Sequence, residues 1–188
     1  MPKVPSPSGV SVRLVVEDGP WRGVSRADVV RRVRAMLEAL QLSDVEVSIV
    51  LTGDDQIQKL NRIYRKKDRP TDVLAFAQRE GEHGDTAGGL LGDVIVSVPT
   101  ALRQAREAHR DLVAELTMLL AHGVLHLLGW DHETPGKDRR MRAETQRLCD
   151  AAEQAVHRRR PPSAPVKART GRRVSGDSRA RKATRRAR

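Results

Sequence analysis

Six histidines occur in the chain, and three of them, His122, His126 and His132, fall within eleven consecutive positions. In the segment Ala121-His-Gly-Val-Leu-His-Leu-Leu-Gly-Trp-Asp-His-Glu133 the first two stand four apart in a helix-like apolar run. That spacing sets both imidazoles on one helix face, about one turn apart. Gly129 then permits a sharp turn, after which His132 can swing back towards that face. Three neutral imidazole nitrogens at ~2.0–2.1 Å hold a zinc ion and leave its fourth position open, the mark of a catalytic site. One Zn2+ per chain is therefore expected. Cys149 is the only cysteine, so neither a cysteine-rich structural site nor an intramolecular disulfide is possible. His83, His109 and His157 stand alone, in or next to polar segments, and read as surface residues.

The spacing H-x-x-x-H-x-x-G-x-x-H resembles that of the metzincin proteases, with one departure. Zincin proteases use H-E-x-x-H, whose Glu is the general base for zinc-bound water. Gly123 occupies that place here, and Glu133 is the only nearby replacement. A zincin-like metalloprotease is thus the alternative reading rather than the leading one.

Two more stretches belong with the histidines: Asn61 with Tyr64-Arg-Lys-Lys-Asp-Arg-Pro-Thr-Asp-Val-Leu-Ala-Phe76, and Leu91-Gly-Asp-Val-Ile95. Together the three segments resemble the YbeY family of bacterial endoribonucleases. Its pattern is H-G-x-L-H-L-x-G-Y-D-H, preceded by N-x-x-Y-R-x-K-D-x-P-T-D-V-L-S-F and a G-D-I strand. The likeness runs in order over roughly residues 10–155, with Trp130 in place of the family Tyr and Ala75 in place of Ser. It implies a zinc-dependent endoribonuclease that cuts single-stranded RNA in 16S rRNA 3′-end maturation and ribosome quality control. The implied partners are 16S rRNA and the small ribosomal subunit, with ribosome-associated proteins as further candidates. By the matching motif, the metal ligands fall on His122, His126 and His132, and the family's functional arginine falls on Arg65. A non-catalytic assembly factor, with zinc only stabilising the fold, is a second alternative, because metal binding and folding are linked.

The chemistry is consistent with that resemblance. A zinc ion with an open position can polarise a phosphoryl oxygen or lower the pKa of bound water towards ~7. RNA carries its own nucleophile, the 2′-OH, so the missing Glu matters less for phosphodiester than for peptide cleavage. Arg65 and Lys67 can bind phosphate and stabilise developing charge, or they pair with Asp68 or Asp72 on a solvated loop. Asp93 either lines the cleft as a substrate-binding residue or faces solvent from its strand. Asp131 either orients a ligand imidazole from behind or forms a turn. Cys149 reads as a small hydrophobe packed on a helix.

The elements that must position these residues follow from periodicity and breakers. Strands are expected at Val10–Val16, around Val45, Val47 and Ile49, at Val73–Ala77 and at Leu91–Val98. Ser25 caps a helix to about Leu40, and Asp54 or Asp55 caps another through Tyr64. Residues 65–71 form a loop, because Pro70 disfavours helix at Arg69. Pro99 opens a helical region that breaks near Arg110-Asp111 and resumes to Leu127, where Gly129 stops it. A last helix covers about Lys137 to His157. The pattern predicts an α+β single layered domain, with a mixed four-stranded sheet, about five helices and the metal site at a helix C-terminus.

Composition bounds the rest. The chain of 188 residues suits one domain, assigned to residues 10–157 between a disordered N-terminus (1–9) and a disordered basic tail (158–188). The tail holds 13 of the 35 Lys and Arg but only one of the 24 acids, so the residues before it are nearly neutral. With only Val166 and Val174 as large apolar residues, the tail cannot offset the cost of ordering. Four aromatic residues, Trp21, Trp130, Tyr64 and Phe76, argue against a base-stacking platform of the RRM or OB type. No apolar run approaches a membrane span and no signal core opens the chain, which points to a cytoplasmic protein without a membrane partner.

Overall fold

Residues 9–78 and 89–158, the part of the chain that the computed structural model describes, form four strands and five helices. The order is β1 (Ser11–Val16), α1 (Arg26–Ala39), β2 (Glu46–Thr52), α2 (Asp54–Arg65), β3 (Val73–Ala77), β4 (Leu90–Ser97), α3 (Val98–Glu107), α4 (Leu112–Leu127) and α5 (Pro135–His157). The readings for residues 1–8, 79–88 and 159–188, His83 and the basic tail among them, lie outside the described residues.

The sheet runs β1-β2-β4-β3. β1, β2 and β4 are parallel, and β3 returns antiparallel along β4. Alternation then sorts the side chains. Val47, Ile49 and Leu51 of β2 and Val94 and Val96 of β4 enter the main core, where α1, α4 and α5 supply the opposing surface. Leu74 alternates with Val73 and is buried on the sheet's other side, where α2 packs on β3 and β4. Arg32 of α1, nearly buried, forms a two-pronged ion pair with Glu153 that ties α1 to α5.

Local signals account for most helix starts. Ser25 Oγ accepts from Asp28 N at 3.3 Å, and Asp111 Oδ1 accepts from Ala114 N at 2.7 Å. α5 begins at Pro135 behind the cap Thr134, slightly before the expected Lys137. The capping of α2 differs from expectation. Gly53 is its N-cap, and Asp54 is already helical. The Asp54 carboxylate is drawn instead to Ser97, to Thr100 (2.7 Å) and to Arg103 (2.8 Å), which fastens α2 to α3. Those partners lie more than forty residues away in sequence.

Candidate metal centre

α4 is a core helix, and past its first turn only Met118, His122 and His126 are not buried. The two histidines therefore point along the one stripe that the fold leaves open. The helix ends where Gly129 adopts φ +79°. Gly129 N donates to His126 O at 3.0 Å and Trp130 N to Leu125 O at 3.1 Å, the paired bonds of a Schellman motif. Trp130 packs against the core as that motif's hydrophobic contact. The reversal brings His132 back to the stripe, as the spacing requires.

One ligand nitrogen from each of His122, His126 and His132 lies within 4.8 Å of the other two. The Nε2 atoms of His122 and His126 are 3.1 Å apart. A tetrahedral ion with bonds of 2.0–2.1 Å separates its ligands by about 3.3 Å, so the donor set fits zinc with little adjustment. Burial first, and then the neighbouring rings of His126 and His132, push His122 down to about 4. Burial also lowers His126, against the opposing pull of the Trp130 backbone. Both rings are thus held as neutral donors around neutral pH, the form a metal needs.

Gly123 has a structural reason that the sequence did not disclose. A Cβ there would lie 2.5 Å from Val94 Cγ1 and 3.4 Å from Val73 Cγ2. The position faces the sheet and not the cleft, so no side chain placed at 123 can serve as a base. Gly123→Ala should lower unfolding stability by roughly 1–2 kcal/mol, since overpacking against a stiff valine outweighs the ~1 kcal/mol of helix propensity gained. Urea denaturation measures this, and an equal or higher stability would contradict the packing assignment.

Beside the histidines lies a second, polar cleft of about 300 Å³, lined by Arg65, Lys67, Arg69, Asp72 and Gln104 among others. Arg65 is the last residue of α2, and Lys66 turns the chain in the left-handed region at φ 57°. Buried Asn61 fixes the loop that follows by donating to Arg69 O at 2.7 Å. Among the described residues neither Arg65 nor Lys67 forms an ion pair, and Asp68 accepts from Gln58 instead. Arg65 is near enough for its charge to oppose protonation of His126.

Asp72 is the residue that sequence reasoning undervalued. Its Oδ1 accepts from Val73 N (2.8 Å) and Thr71 Oγ1 (3.1 Å), its Oδ2 from Gln104 Nε2 (3.0 Å). Its charge acts on His122, so it borders both the polar cleft and the histidines. Asp72 follows the run read as a loop, residues 65–71, and its long-range bond to Gln104 was not legible there.

Two further expected site residues make other contacts. Asp131 accepts from Glu133 N at 3.2 Å and from Lys137 Nζ at 2.7 Å, the contacts of a turn. Lys137 first, and then the Glu133 amide, hold its carboxyl below the usual range. Asp93 pairs with Ser48 and Phe76 across the sheet. Val94, its neighbour, faces Gly123 of α4, so alternation turns Asp93 to the opposite face. The sheet separates it from the histidines. His109 and His157 are exposed, as expected, and Cys149 is half-buried on α5 against the core.

A family model described as Endoribonuclease YbeY matches residues 22–153. A relative of that name from Anaeromyxobacter sp. (strain Fw109-5) is 49% identical over 142 residues, covering 76% of this chain and 72% of its own. Another from Aquifex aeolicus (strain VF5) is 44% identical over 119 residues, covering 62% and 76%. Among solved structures, a Thermotoga maritima protein determined in solution aligns with a TM-score of 0.54 at 24% identity, covering 84% of this chain and 99% of that one. That last likeness is one of fold.

Proposed function

This chain belongs to the YbeY endoribonuclease family, and on that premise we propose that it cuts single-stranded RNA with a zinc ion held by His122, His126 and His132. The observation that carries the reading is the meeting of two unlike sites. Three imidazoles converge, and a cleft lined by Arg65 and Lys67, which form no ion pair among the described residues, opens beside them. A bound zinc ion supplies Lewis acidity towards a phosphoryl oxygen. Arg65 and Lys67 hold the remaining phosphate oxygens and balance the charge that grows on them. Asp72, fixed by three donors, is a preset acceptor at the border of the two sites. Peptide cleavage is disfavoured, because position 123 is turned into the sheet.

The test separates RNA from protein substrates. The zinc-loaded protein should cut a single-stranded RNA, leave unstructured casein whole, and lose RNA cleavage on chelation. Casein cleavage abolished by His122→Ala would establish the protease instead. Binding without cleavage, with or without zinc, would establish the non-catalytic assembly factor.

We assign the work to 16S rRNA 3′-end maturation and ribosome quality control in the cytoplasm, on the small ribosomal subunit. Among the described residues no helix is long and apolar enough to cross a membrane. The basic segment 158–188, with 13 cations and one acid, serves in this reading as an RNA anchor. If about five of its cations neutralise single-strand phosphates, log K falls against log[salt] with a slope near −3.5. Removing residues 158–188 should flatten that slope while cleavage at saturating RNA persists. Identical slopes in a salt titration of the two forms would leave the segment without an RNA role.

A further inference from the structure

The open stripe of α4 does not stop at the histidines. One turn before His122 it continues as Met118, and one turn earlier as Ala114. Facing it, α5 presents Arg142, Gln146, Cys149 and Glu153 at helical spacing. Between the two helices lies a groove of about 570 Å³ whose lining includes His122 and His132. It opens directly onto the metal centre, on a different set of residues from the cleft of Arg65 and Lys67.

Its chemistry is the reverse of that cleft's. Met118, Ala114 and Cys149 give it an apolar floor. Burial pushes the Cys149 thiol up to about 11, so it stays uncharged. The two arginines of the groove are both engaged, Arg142 with Asp138 at 2.8 Å and Arg110 with Glu115 at 2.7 Å. Glu153 is likewise held by Arg32, and Asp150 carries no ion pair among the described residues. The groove thus offers a phosphate no free cation, whereas a flat neutral group needs none. Methionine sulfur is a good neighbour for an aromatic ring, and a guanidinium plane can cover the other face.

Resting on the endoribonuclease reading, we propose that this groove seats one unpaired nucleobase of the RNA, next to the scissile phosphate. The base lies on Met118, one helical turn from His122, with Arg142 as its cover. The Arg142 side chain is 79% exposed, so it can close over a base without disturbing the core. The strand would then be held by two contacts of opposite kind: its phosphate by Arg65 and Lys67, its base by the groove. Such a pocket explains why single strands would be cut in preference to duplexes, whose bases remain stacked.

The experiment moves a single abasic site along a short single-stranded RNA and measures kcat/KM for the full, zinc-loaded protein. In the parent, a lesion at one position beside the cut should lower kcat/KM about tenfold, the size of one lost base-stacking contact. Met118→Trp, which fills the groove, should lose about as much on intact RNA and become indifferent to the lesion. Arg142→Ala, a surface change that leaves folding intact, should weaken the lesion effect in the same direction. A parent that cuts intact RNA equally well wherever the lesion lies would overturn the base pocket and leave the endoribonuclease reading standing. A Met118→Trp or Arg142→Ala protein with an undiminished lesion effect would also overturn the pocket. Failure of the parent to cut intact RNA at all would overturn the activity itself, and the pocket with it.

Discussion

His126→Ala should empty the metal site and abolish RNA cleavage while the fold survives. His126 is one of only three donors, and its Nε2 stands 3.1 Å from that of His122. With it gone, two imidazoles remain, and one of them, His132, is exposed on the turn after α4. Changes to groups that merely support a ligand already cost 10–100-fold in metal affinity or activity. Loss of a ligand itself should therefore exceed about 100-fold in both. The fold should hold because His126 sits on the open stripe, whereas Leu125 and Leu127 on either side carry the packing. Alanine is also the better helix former. Elemental analysis after dialysis should give about one zinc per chain for the parent and almost none for the variant. Full occupancy in the variant would refute the ligand assignment.

Arg65→Ala should lose rate while keeping both metal and fold. Arg65 is exposed at the end of α2, where a surface change usually costs within ~0.5 kcal/mol. Its charge nevertheless reaches His126, so it lies within electrostatic range of the histidine cluster. Removing one preorganised donor to developing charge costs about 10²–10³ in kcat. A fall of that order is expected at saturating RNA, with zinc content and melting temperature unchanged. Arg65→Lys should recover only part of it, since an ammonium cannot offer the planar two-pronged contact. Parental rates in Arg65→Ala would remove this residue from the mechanism.

What the sequence disclosed is what short-range physics decides. The histidine spacing, the break at Arg110-Asp111 and the Gly129 stop together define α4 and the return of His132. Each depends on residues within one or two turns. What it left unread depends on distant partners. Asp54 was expected as a cap and is claimed by Ser97, Thr100 and Arg103. Asp93 needed the facing of β4 to be known, which only the packing of Gly123 against Val94 supplies. The groove between α4 and α5 is of the same kind, because no local pattern says which helix faces which.

The division of the ligands between two kinds of backbone governs how long an ion stays. In the proposed centre His122 and His126 ride on a helix packed into the core, and they keep their places as long as that helix does. His132 belongs to an exposed turn between Trp130 and Pro135, so local opening there can detach it alone. An ion bound by the two remaining rings then has a short path to solvent. Its residence time is set by the turn, not by global unfolding, and a chelator can strip the protein without denaturing it. If the proposed metal assignment holds, the same detachment would let an ion re-enter a folded chain.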